Sequence, residues 1–297
     1  MDLSIIILNW NTPKATINCI KSIFKYIKDI KHEIIVADNA STDNSVNQIK
    51  KTLIHRHPDH PQGGEGSPRN RQKQQRDSSA SPQNDVKIQL IQNSSNFGFA
   101  KGNNIASKKA KGDYLLFLNS DMKLVDSSIV NMLQFLQKSP KVGAIGPQFL
   151  NPNKTPQASV FPKQSILNAF KEFWLGQKYA FTKNIPKDTT PSSVYAISGG
   201  AFLISKKLFD QLGKWNEKYF MYFEDLDLCR RIHKSVKQVY CYPQCKVIHY
   251  HGLSGKSLSN SENQWRRLIP SSKIYHGLLK HYLLTLIIWL SSKCHKK

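Results

Sequence analysis

Residues 114–121, YLLFLNSD, constrain the fold of this chain more than any other stretch. Five consecutive apolar or aromatic residues are followed at once by Asn119, Ser120 and Asp121. Such a run predicts a strand buried on both faces, as in a parallel sheet covered by helices. Ligands of these sheets lie beyond the carboxyl ends of the strands. Asp121 is therefore expected at a ligand site, where its carboxylate suits Mg²⁺ or Mn²⁺, and capping of a following helix is the competing interpretation.

Strands and helices alternate in the first part of the chain. Residues 3–8, 33–37 and 86–91 are apolar runs that predict strands. Helical spacing of apolar residues predicts helices over 13–28 and 44–53, the second capped by Ser41 or Thr42. A glycine-bearing turn then opens a helix through residue 110. The order predicts an α/β fold with parallel strands and right-handed crossovers.

The other segments of the chain predict a few further elements, and one of them allows no assignment. Residues 130–136 predict a helix, and residues 142–149 and 197–204 predict strands, the latter interrupted by Gly199-Gly200. Residues 151–191 are rich in Pro, Lys and aromatics and allow no assignment. Residues 55–84 contain no aliphatic or aromatic side chain except one alanine, which predicts a disordered surface insertion.

Residues 219–231, YFMYFEDLDLCRR, place three carboxylates beside aromatics and leucines. Burial raises the pKa of a carboxyl group towards the range useful for a general base. Glu224, Asp225 and Asp227 equally suit the first turn of a helix, where acids favour the dipole, and both interpretations can hold. Further along, residues 247–252 end a strand with His249 and His251.

The formal net charge is +23, and residues 230–297 carry thirteen Lys and Arg against one acid. Nucleic acid, an anionic membrane or a phosphorylated substrate would suit such a charge. The five cysteines are scattered, and no secretory signal precedes the first strand, which favours a reducing, cytosolic setting. Cys241 and Cys245 with His249 and His251 have poor spacing for zinc, so ordinary buried cysteines are expected.

Residues 275–290 are strongly apolar but are interrupted by Lys280 and His281. The unbroken apolar stretch falls short of the ~20 residues that span a bilayer. With its cationic flanks, the segment is typical of an interfacial helix on an anionic inner leaflet. A core helix packed on the domain is the alternative.

The chain contains, in this order, the seven motifs SIIILNWN, EIIVADNASTDNS, NFGFAKGNN, YLLFLNSD, ISGGAFLI, YFMYFEDLDLCRR and VIHYHG. Together they resemble the family 2 glycosyltransferases, and especially the rhamnosyltransferase-like branch of bacterial surface-polysaccharide synthesis. The resemblance implies a GT-A fold, an αβα sandwich around a mixed, mostly parallel sheet, and inversion at the anomeric carbon. It implies a glycosyltransferase domain over 1–255, with a nucleotide-binding half (about 1–122) and an acceptor half (about 140–255). Residues 256–297 would form a helical tail.

The resemblance also implies roles for eleven residues. Those similar to the family's nucleotide-binding positions are Asp38, Asn39, Asn96, Gly98 and Asn103. Those similar to its divalent-metal ligands are Asp121 and His249, with His251 competing. Asp225 resembles the catalytic base and Glu224 its neighbour, while Gly199 and Gly200 would line the acceptor site.

The implied partners are a UDP-, dTDP- or GDP-sugar donor, a glycan or lipid-linked acceptor, and Mg²⁺ or Mn²⁺. Asp38, Asp121 and Asp225 are then expected to face one cleft. Two other function classes compete with this one. A non-catalytic nucleotide-sugar binder would keep the nucleotide residues alone. A nucleic-acid binder would explain the charge, but the basic residues form no recognisable module and the carboxylates would be idle.

Overall fold

The computed structural model describes residues 1–54, 86–250 and 265–294. The predicted insertion over 55–84 and the competing metal ligand His251 lie outside the described residues. Twelve strands are described: β1 Leu3–Asn9, β2 His32–Asp38, β3 Lys87–Gln92, β4 Tyr114–Asn119, β5 Met122–Leu124, β6 Val142–Leu150, β7 Pro156–Gln157, β8 Val160–Phe161, β9 Ser192–Val194, β10 Ala196–Ile197, β11 Ala201–Ser205 and β12 Gln238–His249.

Nine helices connect or follow these strands within the described ranges. They are α1 Pro13–Tyr26, α2 Ser45–Ile54, α3 Gly98–Ser107, α4 Ser128–Lys138, α5 Ile166–Phe173, α6 Lys206–Gln211, α7 Glu224–Lys234, α8 Trp265–His276 and α9 Leu278–Cys294. Ten strands form one mixed sheet whose main order is β3-β2-β1-β4-β11-β6-β12-β5, with β7 beside β6 and β9 beside β12. The longest ladders, β1–β2, β1–β4, β2–β3 and β6–β12, are parallel.

The apolar strand runs are buried on both faces, as their sequences predict. In β1, Ile5 and Ile7 belong to one core cluster with residues of α1, α2 and α4. Ile6, between them, belongs to a second cluster with residues of α3, α6 and α7. Successive strand side chains point to opposite faces, so an unbroken apolar run is needed when helices cover both. The three-layer α/β fold predicted from the sequence is confirmed.

Several element boundaries differ from the sequence prediction. Helix α3 ends at Ser107 rather than at residue 110. The run over 197–204 is two strands, β10 and β11, separated at Gly199-Gly200. The predicted capping of α2 by Ser41 or Thr42 is wrong, because the Ser45 N–H donates to the Asp43 carboxylate (3.0 Å). The unassigned residues 151–191 contain β7, β8 and α5.

The C-terminal helices pack on the rest of the chain. The Ser271 hydroxyl of α8 donates to the Met221 carbonyl (2.7 Å). The Trp174 indole N–H, just after α5, donates to the Ile287 carbonyl of α9 (3.1 Å). The domain boundary near residue 255 stays a prediction. Among the described residues, no helix has the length and apolar content needed to cross a membrane.

Candidate active site

A cavity of about 490 Å³ opens at the carboxyl ends of β1, β2 and β4. This is the edge of the sheet where ligands of open α/β folds lie, and the volume suits a small-molecule ligand. Nine of the eleven residues singled out from the sequence line it: Asn39, Asn96, Gly98, Asp121, Gly199, Gly200, Glu224, Asp225 and His249. The other two, Asp38 and Asn103, do not.

Asp121 follows the buried strand β4 and is only 2% exposed. The next residues form β5, which pairs antiparallel with the end of β12, so that Met122 lies opposite His249. The alternative that Asp121 caps a helix is therefore wrong, since a strand follows it. Pairing of β5 with β12 explains how two residues 128 positions apart come to share one end of the cavity.

At that end, Asp121 Oδ1 lies 3.6 Å from His249 Nε2. Neither carboxylate oxygen of Asp121 has a hydrogen-bond partner within the described part of the chain. His249 Nδ1 lies 2.6 Å from Gln157 Oε1. The Gln157 amide nitrogen donates to Asn151 Oδ1 (2.9 Å), so the amide oxygen is the acceptor and Nδ1 carries the proton. Nε2 is therefore the nitrogen that faces Asp121.

A buried carboxylate and an imidazole nitrogen that face each other fit a divalent cation. A buried carboxylate and an imidazole oriented by a further hydrogen bond are typical metal ligands. No group of three or more His, Cys, Asp or Glu suited to a metal occurs in the described ranges. Asp121 and His249 therefore suit an ion that takes its other ligands from a bound substrate. Gln157 was missed because it lies in the unassigned stretch.

The cysteines of the rejected zinc site are ordinary core residues. Cys241 and Cys245 are fully buried in β12. Burial raises the pKa of each thiol to about 12, as expected for cysteines packed in a core. The sequence expectation of buried structural cysteines fits these positions.

The other end of the cavity is built at the start of α7. Tyr222 and Phe223 precede the helix with φ angles of 71° and 67°, in the left-handed region that few side chains of this size adopt. Such strained residues cluster at functional sites. The turn they make is followed at once by Glu224 and Asp225, both of which line the cavity.

Asp225 is 8% exposed and accepts two backbone hydrogen bonds. The Gly199 N–H donates to Oδ2 (3.0 Å) and the Leu226 N–H donates to Oδ1 (2.8 Å). Burial raises the pKa of Asp225, while these donors and the charge of Lys183 oppose the rise. A carboxyl with a raised pKa that reaches a cavity is suited to act as a general base.

Glu224 lies beside Asp225 in a different environment. Burial, and then the charge of Asp225, raise the pKa of Glu224 well above its usual range. Its Oε2 has no hydrogen-bond partner among the described residues. Glu224 therefore favours the neutral form, and Asp225 is the better candidate for the ionised base. Asp227 pairs with Arg230 (2.7 Å) and Arg231 (2.8 Å), so this acid stabilises the helix.

The glycine pair lets the backbone approach the base. A Cβ on Gly200 would lie 2.7 Å from Met122 Cε, and one on Gly199 would lie 3.3 Å from the Phe99 ring. The Gly200 carbonyl accepts from the Asn119 N–H (2.8 Å), which ties the pair to the end of β4. The acceptor role assigned to both glycines stays a prediction.

The predicted nucleotide side is a network of amides. Asn39 Nδ2 donates to Asn96 Oδ1 (2.9 Å) and to the Gly98 carbonyl (3.1 Å). Gly98 has φ +77°, and a Cβ there would lie 2.3 Å from the Phe220 carbonyl oxygen, so only glycine fits. The network holds the turn before α3 against the end of β2, and the Phe99 N–H donates to the Phe220 carbonyl (2.7 Å) in the loop that leads into α7.

Asp38 and Asn103 lie behind the cavity lining. The Asp38 carboxylate accepts from Asn9 Nδ2 (2.6 Å), the Ser41 hydroxyl (2.6 Å) and the Ser41 N–H (2.9 Å), and Asp38 is 2% exposed. Asn103 is equally buried and donates to the Phe99 carbonyl (2.9 Å). Of the three aspartates expected in one cleft, Asp121 and Asp225 line the cavity and Asp38 does not. Contact of Asp38 or Asn103 with a nucleotide stays a prediction.

Several cavity residues carry no signal in the sequence. Lys183 lines the cavity from the stretch between α5 and β9 that allowed no assignment. Its Nζ donates to the Ser198 hydroxyl (3.1 Å) and lies over the Phe149 (5.5 Å) and Phe161 (5.3 Å) rings. Leu268 of α8 also reaches the lining, so a C-terminal helix contributes to the site.

Comparison with known proteins identifies the family of this chain. The sequence profile described as Glycosyl transferase family 2 matches residues 4–73 and 64–213, which together exceed half of the chain. The O-antigen biosynthesis protein RfbC of Myxococcus xanthus is 27% identical over 161 residues, 54% of this chain and 13% of that protein. The N-acetylglucosaminyl-diphospho-decaprenol L-rhamnosyltransferase of Mycobacterium tuberculosis (strain CDC 1551 / Oshkosh) is 28% identical over 145 residues, 46% of this chain and 47% of that protein. The matches thus span less than half of either relative.

The fold has a solved counterpart. The mannosyltransferase PcManGT from Pyrobaculum calidifontis, in complex with GDP-Man and Mn²⁺, aligns with 98% of this chain and 73% of its own at a TM-score of 0.61 and 14% identity. At that identity the likeness supports the GT-A fold alone. The sequence prediction of a glycosyltransferase is confirmed at the level of the family, because the chain belongs to glycosyl transferase family 2.

Proposed function

We propose that this protein is an inverting glycosyltransferase that moves a sugar from a nucleoside-diphosphate donor to a glycan or lipid-linked acceptor in surface-polysaccharide synthesis. The observation that carries the proposal is the pairing of two buried carboxylates in one cavity. Asp121 faces the imidazole of His249, and Asp225 in the same cavity is held by backbone donors. A nucleic-acid or passive binding role would leave both arrangements without a purpose.

Asp121 and His249 are the residues that would hold a divalent ion, and Gln157 would keep the imidazole oriented. When bound, such an ion neutralises charge that develops on the diphosphate leaving group. Asn39, Asn96 and Gly98 lie along the same cavity and would hold the nucleotide. Mn²⁺ is present in the solved counterpart, which supports a metal requirement here.

Asp225 would accept the proton of the acceptor hydroxyl as that oxygen attacks the anomeric carbon. For inversion, the hydroxyl must attack from the face opposite the leaving diphosphate. A base at the α7 end of the cavity and metal ligands at the β12 end suit this in-line arrangement. Neutral Glu224 beside the base adds no second charge to repel an ionised Asp225.

A thermal-shift screen tests the donor. UDP-, dTDP- and GDP-sugars would be tested with Mn²⁺, Mg²⁺ or EDTA, with dTDP-rhamnose first because the mycobacterial relative is a rhamnosyltransferase. One nucleotide sugar should raise Tm in a metal-dependent way, because bound ligand stabilises the folded state. Absence of a metal-dependent shift with every donor at millimolar concentration would contradict the proposal. An Asp121→Asn variant separates metal-dependent from metal-independent binding.

We also propose peripheral contact with the cytoplasmic face of a membrane. Helices α5 and α9 pack together and expose apolar side chains, among them Leu167 (61%), Leu279 (78%) and Trp289 (54%). Residues 265–294 contain Lys, Arg and His but no Asp or Glu. An apolar surface with cationic flanks suits an anionic lipid surface and would bring a lipid-linked acceptor near the cavity.

Sedimentation with vesicles tests this contact. The wild type should sediment with vesicles that contain phosphatidylglycerol, and Leu279→Glu with Leu286→Glu should reduce binding strongly, because charge replaces apolar contact. Val236→Glu is a matched control, since Val236 is an apolar residue 92% exposed outside α5 and α9. Equal sedimentation of all three proteins would contradict the membrane proposal without touching the enzymatic one.

A further inference from the structure

Asp225 is a buried carboxylate whose ionised form has to be stabilised if it is to act as a base. Two backbone N–H groups contribute, from Gly199 and Leu226, but dipoles of this kind offset only part of the cost of burying a charge. The charged and titratable groups around it therefore decide its state. Those nearby are Glu224 on the same helix, Cys229 one turn further on, and Lys183, whose Nζ donates to the Ser198 hydroxyl next to the Gly199 N–H that holds Asp225.

Two of these groups do not supply positive charge. Glu224 favours its neutral form, because burial and the charge of Asp225 both raise its pKa. Burial likewise raises the pKa of the Cys229 thiol, which stays protonated. Among the lining residues that the structure describes, Lys183 is the only Lys or Arg. His249 lies at the other end and would be occupied by the metal.

Contacts with neighbouring side chains fix the position of the Lys183 ammonium group. Its Nζ donates to the Ser198 hydroxyl (3.1 Å) and lies over the Phe149 and Phe161 rings, 5.5 and 5.3 Å from their centroids. Ser198 immediately precedes Gly199, whose N–H holds the Asp225 carboxylate. One short segment thus anchors both the ammonium group and the carboxylate. Burial lowers the pKa of Lys183, and the charge of Asp225 opposes this.

We propose that Lys183 is a positioning residue whose ammonium group keeps the Asp225 carboxylate ionised and ready to accept a proton. The role rests on the proposed function, in which Asp225 is the base. Lys183 transfers no proton itself, and its charge acts through Asp225. Replacement of the lysine by a neutral side chain makes the ionised carboxylate less favourable, so Asp225 holds its proton to higher pH.

The direct test needs no enzyme turnover. Protein labelled with ¹³C at the aspartate carboxyl carbons is titrated by NMR, and Asp225→Asn identifies the Asp225 signal. In Lys183→Met, the midpoint of the Asp225 titration should move to higher pH. In Lys183→Arg, which keeps the charge, this midpoint should stay near the wild-type value. Lys187→Met, at an exposed lysine outside the cavity, is the matched control. An unmoved midpoint in Lys183→Met overturns the proposal.

The pH dependence of kcat/KM is a second measurement. A purely structural or substrate-binding role of Lys183 would not change it. The acidic limb of the kcat/KM profile should shift to higher pH in Lys183→Met, so that the loss of activity is largest at the acidic end of the profile and is recovered at its alkaline end. A loss that is equal at every pH, expressed as a raised donor KM, would assign Lys183 to substrate binding and overturn the proposal.

Ser198→Ala keeps the test valid if Lys183→Met does not fold. It removes the acceptor that fixes Nζ and should shift the Asp225 midpoint in the same direction by less. A wild-type protein without transferase activity would refute the proposed function, while the NMR titration would still report on the Lys183–Asp225 pair.

Discussion

Asp121 and Asp225 line the same cavity and are both buried, at 2% and 8% exposed, but their surroundings differ. The oxygens of Asp121 have no hydrogen-bond partner among the described residues, and an imidazole nitrogen faces one of them. The oxygens of Asp225 are held by two backbone N–H groups, with a lysine nearby. The first arrangement suits a metal ion, and the second is held by groups that the protein itself supplies. The contrast separates a metal ligand from a base.

The largest effect on activity is expected from a change at Asp225. Asp225→Asn should lower kcat by about 10²- to 10⁴-fold, because the amide cannot accept the proton of the acceptor hydroxyl. Nucleotide binding should change little, since Asp225 lies at the opposite end from the metal ligands. The measurement is a transfer assay corrected for donor hydrolysis, with thermal shift for binding. Full turnover by the variant would remove Asp225 from the role.

Asp121→Asn removes one of the two proposed protein ligands of the metal. The variant should therefore lose metal-dependent stabilisation by nucleotide, and its kcat/KM should fall by about 10²-fold or more. Without metal, the variant should be at least as stable as the wild type, since a buried carboxylate without a hydrogen-bond donor among the described residues is removed. Thermal melts with and without Mn²⁺ measure both effects. Asp113→Asn, at an exposed aspartate, is the control. If Mn²⁺ stabilises both proteins equally in the presence of donor, Asp121 is not a ligand.

A smaller effect should follow from the loss of imidazole orientation. Gln157→Leu removes the acceptor of His249 Nδ1 and should weaken metal affinity by about 10- to 100-fold, as outer-shell changes typically do. Activity at saturating Mn²⁺ should recover, which distinguishes this variant from Asp121→Asn. Titration of activity with Mn²⁺ measures the shift. An unchanged Mn²⁺ dependence would show that Gln157 does not support the ligand.

The smallest effect concerns Glu224, which favours its neutral form in the folded state. The unfolded chain ionises this group at lower pH, so the wild type should lose stability as pH rises from the unfolded pKa through the raised folded pKa. Glu224→Gln should remove that loss and melt a few degrees higher than the wild type at alkaline pH, while near pH 4 the two should be similar. A parallel pH dependence of Tm in both proteins would refute the raised pKa of Glu224.

Local patterns in the sequence were enough for the sheet and for much of the cavity. Residues 3–8 and 114–118 predict doubly buried strands because side chains of a strand alternate between faces, and both faces here pack against helices. Asp121 and Asp225 could be found because each lies next to such a local signal, a strand end and a helix start. Residues 151–191 have no period, so Gln157 and Lys183 were missed.

The sequence by itself determined the α/β class, the family and the residue types at the cavity. Only the tertiary structure decided which side chains face one another. Pairing of β5 with β12 brings Asp121 to His249, and the approach of Ser198-Gly199 to α7 brings Lys183 towards Asp225. Donors from Asn9, on the neighbouring strand, and from Ser41 hold the Asp38 carboxylate behind the cavity lining. These distances depend on contacts between residues far apart in the chain, and a pattern over ten or fifteen residues does not contain them.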